Sequence, residues 1–263
     1  MNHQPKTAKL KLEIQGFTAI VTNTNPPANT WDIESLTALR DLVRSLDKDK
    51  NIYALVLCGD GEKFFSAGAD LKMFADGDKA RARAVSKIFG EALETLSLFG
   101  GVSIAAIQGY AMGGGLEAAL ACDIRICEPQ SQMALPEAAV GLLPCGGGTQ
   151  NLPLLVGEAW AKRMILCGER VNAETALRIG LVEEIAEKGQ ARAKAIELAT
   201  KVASQSPSSV RACKSLIQAS RFNPPFHTLP RERELFVDLF DTADQKEGVT
   251  AFLEKRKPVW KNG

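Results

Sequence analysis

Histidine is almost missing from this chain: 263 residues contain two, His3 in what reads as a floppy N-terminal tail and His227 beside Pro224 and Pro225. A histidine-based metal site or a Ser-His-Asp triad therefore has almost no material to be built from. Aromatic residues make up 6% of the chain, too few for the many aromatic contacts a sugar-cleaving cleft needs, which argues against a paired-carboxylate glycosidase. No charge of one sign dominates, since 32 basic residues face 31 acidic ones for a net charge of +1. That balance offers no broad field to nucleic acid or to an anionic membrane, so neither is expected as a main partner and any anionic ligand must be held locally. No apolar run is long enough to span a bilayer, and the polar stretch from Met1 to Glu13 lacks the apolar segment of a signal peptide. The six cysteines form no CxxC pair and sit in mostly apolar surroundings, which predicts reduced, buried thiols and a cytoplasmic setting. Fixed-period repeats and low-complexity segments are absent too, which argues against solenoids and linkers.

What is present is an ordinary globular composition, 45% hydrophobic and 24% charged, enough for one sizeable core with an appendage. Leu10 to Ile14 and Thr18 to Val21 read as two strands turning at Gly16, and Asn25-Pro26-Pro27 ends that sheet segment. Trp31 to Leu46 carries Ile33, Leu36, Leu39, Leu42, Val43 and Leu46 at helical spacing, with Asp32 and Glu34 in the first turn. Ala54 to Cys58 and Val102 to Ile107 are short apolar runs of the kind found in strands buried on both faces. A helix around Arg81 to Phe99 separates them, so β-α units with right-handed crossovers are expected. Beyond Val182 to Ile185 only helices are predicted: Gln190 to Ser204, Ser208 to Ser220, Glu232 to Asp241, and Asp244 to Arg256, the last opening on an Asp244/Glu247 pair that resembles a capping box. The expected organisation is an α/β core over residues 1–190 and a helical region over 191–263.

Three segments carry chemistry. Gly113-Gly114-Gly115 falls where the strand Val102 to Ile107 gives way to a helix, so its bare amides can face negative charge; a tight turn that only needs glycine's freedom is the alternative. It matches neither nucleotide-binding glycine pattern. Glu117 sits on the apolar helix Leu116 to Cys122 with no Lys or Arg within a turn, and Glu137 is the only charge in Met133 to Gly141. A carboxyl buried without a partner gains a raised pKa and can trade protons, and two of them can act as a general acid and a general base. Glu117 can instead be rim-exposed or hydrogen-bonded internally. Phe64 to Lys72 follows the strand Ala54 to Cys58 as the glycine run follows its own, and ligands in α/β sheets lie beyond such strand ends. The two loops are expected to converge and to offer one amide each to a single oxygen. Ser66 in that loop lacks a histidine base and is not read as a nucleophile.

Ser66-Ala-Gly-Ala-Asp-Leu-Lys72, Ile104 to Glu117, Cys122-Asp-Ile124 and Pro136-Glu137 to Gly147-Gly-Thr-Gln150 resemble, in order, the signatures of the enoyl-CoA hydratase/isomerase (crotonase) superfamily, and the resemblance runs from about residue 10 to Lys257. It implies a crotonase-like α/β spiral of ββα units with a helical C-terminal trimerisation region. It implies that the amides of Ala69 and Gly114 form an oxyanion hole, that Glu117 activates water, and that Glu137 protonates the α-carbon. Ala67, Asp70, Leu71 and Lys72 would lie along the coenzyme A moiety, with Phe252 and Lys255 closing the same groove, in this family often from a neighbouring subunit. Cys145 stands where glycine is common and Ser103 where proline is usual; Cys145 lines the site or simply packs as a small hydrophobe. The stretch Met73 to Arg83 and the helix after it would shape the acyl pocket. The activity so implied is hydration of a 2-trans-enoyl-CoA without metal or redox cofactor, in a homo-oligomer, either a trimer or a dimer of trimers. A Δ3,Δ2-enoyl-CoA isomerase is the nearest alternative, because family isomerases tend to keep only the carboxylate at the position of Glu137. A non-enzymatic or RNA-binding role is a more distant one.

Overall fold

The structure is a computed structural model that describes residues 3–263, so the first two residues of the polar N-terminal stretch, Met1 and Asn2, lie outside the described residues. Among the described residues ten strands form two sheets. The larger holds β1 (Leu10–Gln15), β2 (Thr18–Asn23), β3 (Ala54–Gly59), β5 (Val102–Ile107), β7 (Ile124–Cys127) and β10 (Glu184–Ile185) in that spatial order. Only the β1–β2 hairpin is antiparallel in it. The smaller sheet holds β4 (Phe64–Ser66), β6 (Tyr110–Met112), β8 (Gln132–Ala134) and β9 (Val171–Asn172), the first three parallel. Along the chain one strand of each sheet alternates with a helix: β3, β4 and α2 (Lys79–Ser97), then β5, β6 and α3 (Gly114–Ala121), then β7, β8 and α4 (Gly148–Leu166). Three turns of a ββα spiral result.

The period-2 geometry of a strand explains why β3 and β5 read as unbroken apolar runs. Leu55, Leu57, Ala105 and Ile107 point to one face, where α1 (Ile33–Asp47), α2 and α3 pack. Ala54, Val56, Ile104 and Ala106 point to the other, which is covered by Ala191, Ala195 and Ala199 of α6 (Ala191–Ala203). Those alanines recur every four residues on one helix stripe, and their small size lets α6 approach the sheet closely. Thus α6, on the tail side of the expected boundary at residue 190, lies against the core sheet.

Several expectations need correction. Asp32 is not in the first turn of α1 but caps it: its carboxylate accepts from Ser35 N at 2.8 Å while Ser35 Oγ accepts from Asp32 N at 2.9 Å. Such a box stabilises a helix start by about 1 kcal/mol. His3 is docked rather than floppy; its ring is buried and bonds Ser45 Oγ at 2.8 Å and Asp49 Oδ2 at 2.7 Å. Cys58, Cys122 and Cys127 are buried free thiols, but Cys145, Cys167 and Cys213 are exposed. In the tail, α7 (Pro207–Ala219) is where expected, whereas α8 (Pro225–Asp238) starts seven residues before Glu232. The expected capping box at Asp244/Glu247 does not form, because Thr242 caps α9 (Ala243–Leu253). Asp244 is instead buried, accepting from Lys261 N at 2.7 Å, Asn262 N at 3.1 Å and Ser208 Oγ at 2.8 Å, which ties the chain end to α7. Lys214 of α7 anchors the tail to the core, donating to Phe99 O, Gly101 O and Asp123 Oδ2 at 2.6–2.9 Å. No helix among the described residues is long and apolar enough to cross a membrane.

Candidate active site

Strands β4 and β6 are parallel neighbours, so the loop after Ser66 and the turn at Gly113 open on the same side. They touch through their glycines. A Cβ on Gly68, whose φ is +96°, would lie 2.6 Å from Met112 O and 3.2 Å from Gly114 N, and one on Gly114 would lie 3.6 Å from Ala69 N. Backbone meets backbone here, which only glycine permits. The expected convergence of the two loops is therefore what the chain does.

Within the first loop the amides of Ala67, Gly68 and Asp70 donate to Ala28 O (2.9 Å), Ser66 Oγ (3.1 Å) and Trp31 O (2.9 Å). The Ala69 amide donates to no acceptor among the described residues. It is left free beside Gly114, the first residue of α3, where unpaired amides and the positive end of the helix dipole coincide.

Both glutamates face the cavity beside these amides, which measures about 440 Å³. Glu117, 2% exposed, is not the unpartnered carboxyl the sequence suggests: its Oε1 accepts from Gly146 N at 2.7 Å and Gly148 N at 2.8 Å. No cation among the described residues pairs with it, and burial raises its pKa against the lowering pull of those amides. Glu137 opens a short 3-10 turn, Glu137–Val140, after β8, and neither carboxylate oxygen has a partner. Burial, aided by the neighbouring Glu117 charge, pushes it up to about 7 against the lowering pull of its own backbone amide. Cys145 lines the same cavity; the residue is exposed overall, but the cavity partly shields its thiol from water, and that desolvation together with both carboxylates pushes the thiol up to about 11, so it stands there as a neutral thiol.

Of the residues singled out from the sequence, Ala67, Ala69, Leu71, Gly114, Glu117, Glu137 and Cys145 line this cavity. Asp70 and Lys72 flank it on the 3-10 turn Leu71–Phe74, which the Asp70 carboxylate caps through Lys72 N at 3.1 Å. Phe252 and Lys255 do not line it; they sit at the end of α9, with Phe252 83% exposed. Phe89 lies on the helix that the resemblance implies would shape the pocket, whereas Val140, Leu142 and Leu143 are walls that the sequence does not single out. Phe89 presses on the turn, with Cε1 2.7 Å from where a Gly114 Cβ would be.

The cavity thus brings two carboxyls of raised pKa beside the Ala69 and Gly114 amides on a ββα spiral, and residues 13–263 match the family model described as enoyl-CoA hydratase/isomerase. The chain belongs to the enoyl-CoA hydratase/isomerase family. It is 36% identical over 247 residues to the short-chain-enoyl-CoA hydratase of Clostridium acetobutylicum, covering 94% of this chain and 95% of that one. Among solved structures it resembles Pseudomonas aeruginosa DspI at 67% identity and a TM-score of 0.95, covering 97% of each chain. It also resembles an enoyl-CoA hydratase from Bacillus anthracis at 33% identity and a TM-score of 0.93, covering 97% of this chain and all of that one. The spiral is accordingly the crotonase fold shared by enoyl-CoA hydratase/isomerase members, as the sequence resemblance implies.

Proposed function

We propose that the protein is an enoyl-CoA hydratase that adds water reversibly, in the syn sense, to a 2-trans-enoyl-CoA to give the 3-hydroxyacyl-CoA. The observation that carries this reading is the pair Glu117 and Glu137 on one cavity, differently held, beside the free Ala69 amide. Glu117, oriented by two amides, receives a proton from the attacking water as the water oxygen bonds to C3. The π electrons move onto the thioester oxygen, where the Ala69 and Gly114 amides stabilise the enolate. Removing one such donor typically slows an enzyme about 10²–10³-fold. Glu137, neutral below about pH 7, then protonates C2. Atoms balance with water alone, so the step calls on neither metal nor redox cofactor. Ala67, Asp70, Leu71 and Lys72 would flank the coenzyme A moiety where it leaves the cavity. Phe252 and Lys255 would complete that groove across a trimer interface, for which Phe222, Phe226, Phe236 and Phe240, all more than half exposed on the tail, provide apolar surface.

A second reading has an observation of its own. Glu137, with both oxygens free, could shuttle an allylic proton by itself and so interconvert 3-enoyl and 2-enoyl thioesters. The experiment is the loss of ultraviolet absorbance of a conjugated 2-enoyl-CoA with the wild type, Glu117→Gln and Glu137→Gln side by side. Hydration is expected only with the wild type, each variant losing about a hundredfold or more in kcat while still binding coenzyme A. Undiminished activity in both variants would reject the mechanism. A wild type that converts 3-enoyl-CoA but does not hydrate would turn the assignment to the isomerase.

A further inference from the structure

The segment from Asn23 to Trp31 takes no part in the proposed chemistry, yet it holds the loop that presents the Ala69 amide. Ala28 O accepts from Ala67 N at 2.9 Å, Trp31 N donates to Gly68 O at 2.8 Å, and Trp31 O accepts from Asp70 N at 2.9 Å. These contacts clamp the residues on both sides of Ala69, a parallel bridge that pairs Trp31 with Ala69 itself. Between the two clamping points lies Asn29, 5% exposed, with φ at +52°. Asparagine accepts this left-handed conformation more readily than most residues.

Asn29 also reaches outward in a way that glycine in the same conformation could not. Its Nδ2 donates to Asp60 O at 2.9 Å and to Phe64 O at 2.7 Å, while its own carbonyl accepts from the buried Asn23 Nδ2 at 2.7 Å. Asp60 and Phe64 bracket the turn that feeds β4, and β4 feeds the Ala69 loop directly. One side chain therefore joins the strap that clamps the loop to the strand that delivers it. Gly59 and Gln108 pack on the same turn, Gln108 Nε2 also donating to Phe64 O at 2.8 Å, so Phe64 O accepts from two side chains.

We infer that Asn29 is a positioning residue for the reaction: by tying the 28–31 strap to Asp60 and Phe64 it sets where the Ala69 amide points, without touching substrate. The inference rests on the reading of Ala69 as an oxyanion donor. Positioning matters at this scale, because displacing a reacting geometry by about 1 Å can cost on the order of a hundredfold in rate.

Asn29→Gly is the decisive variant, since glycine accepts the left-handed backbone and the substitution removes both side-chain bonds together with the buried side chain. Asn29→Asp keeps the size but sets carboxylate oxygens against two carbonyls. Both are expected to lower kcat about tenfold or more, with the affinity for a coenzyme A thioester product within about twofold of wild type. The accompanying readout is the near-ultraviolet absorbance that bound acetoacetyl-CoA gains when its enolate is stabilised, which should fall in both variants. A purely structural role would not separate kcat and enolate absorbance from binding. Wild-type kcat and absorbance in Asn29→Gly would overturn the inference, and so would an equal loss of rate and affinity. If wild type fails to hydrate but shows the enolate absorbance, the hydratase reading fails while the variants' spectra still decide the role of Asn29. If wild type shows neither signal, the oxyanion donor and this inference fall together.

Discussion

Glu117 and Glu137 share one cavity but not one kind of support: Glu117 Oε1 is held by two backbone amides at 2.7 and 2.8 Å, while both oxygens of Glu137 stand without a partner. Hydrogen bonds to a carboxylate favour its charged form, and burial without them favours the neutral form. The asymmetry suits the two carboxyls to different parts: the proposed hydration starts with a single proton on the pair, on Glu137, and ends with it on Glu117, so dehydration starts from the same total charge.

A pH profile follows with its sign set. The proposed hydration requires the singly protonated pair, which disappears as Glu137 ionises near pH 7. Above that point kcat/KM is expected to fall about tenfold per pH unit. Because no proton enters the overall reaction, the equilibrium constant is independent of pH, and kcat/KM for dehydration must fall in parallel. The observed values belong to the pair rather than to one residue. Initial rates in both directions between pH 5 and 10 check this; profiles flat to pH 9, or diverging between directions, would contradict the assignment.

The same carboxyl makes a stability prediction. Its pKa is raised from 4.5 to about 7, so the folded chain holds this proton more tightly than the unfolded chain does. Its contribution is therefore most favourable below about pH 4.5, is lost as pH rises to about 7, and changes no further beyond. After discounting for partial exposure the loss is on the order of 2 kcal/mol. Glu137→Gln, neutral at every pH, should melt at the wild-type temperature near pH 5 and a few degrees higher near pH 8. Equal shifts at both pH values would show that the charge is not the cause.

How far the sequence alone reaches depends on where each residue's partners lie along the chain. Glu117 and Glu137 stand out because each is a charge in an apolar run, and β3 and β5 because strands covered on both faces need apolar residues throughout. The smaller sheet was not legible: β4, β6 and β8 have three residues each, too few to show a period. Nor was the support of Glu117, whose amide partners lie 29 and 31 residues further on. Pro224, Pro225 and Pro230 hide the first half of α8, although proline is tolerated at a helix start. Asp244 has the spacing of a cap, but its carboxylate is taken by the chain end, a tertiary contact that local pattern does not contain. Asn25-Pro26-Pro27 read as a place where a sheet stops, and the strap that begins there turns out to clamp the Ala69 loop.

The glycine run allows a last prediction, because its members differ in what surrounds them. Gly115 is buried on α3, and a Cβ there would sit 2.3 Å from Ser66 O and 2.8 Å from Ser66 Cβ. Ser66 is buried at the end of β4, and neither its backbone nor the helix can yield without moving the Ala69 loop. Gly115→Ala should therefore cost a few kcal/mol of stability, as overpacked cores do, and remove most of the hydration activity. Gly90 provides the contrast. It lies inside α2, where a Cβ would meet only Glu94 Oε1 at 3.5 Å, an ordinary contact. Gly90→Ala should leave activity unchanged and stabilise the chain by up to about 1 kcal/mol through helix propensity. Thermal melts and initial rates of the two variants check the pair. A Gly115→Ala protein with wild-type melting and activity would mean that the two loops do not interlock as described, and with it the placement of the Ala69 and Gly114 amides would fail.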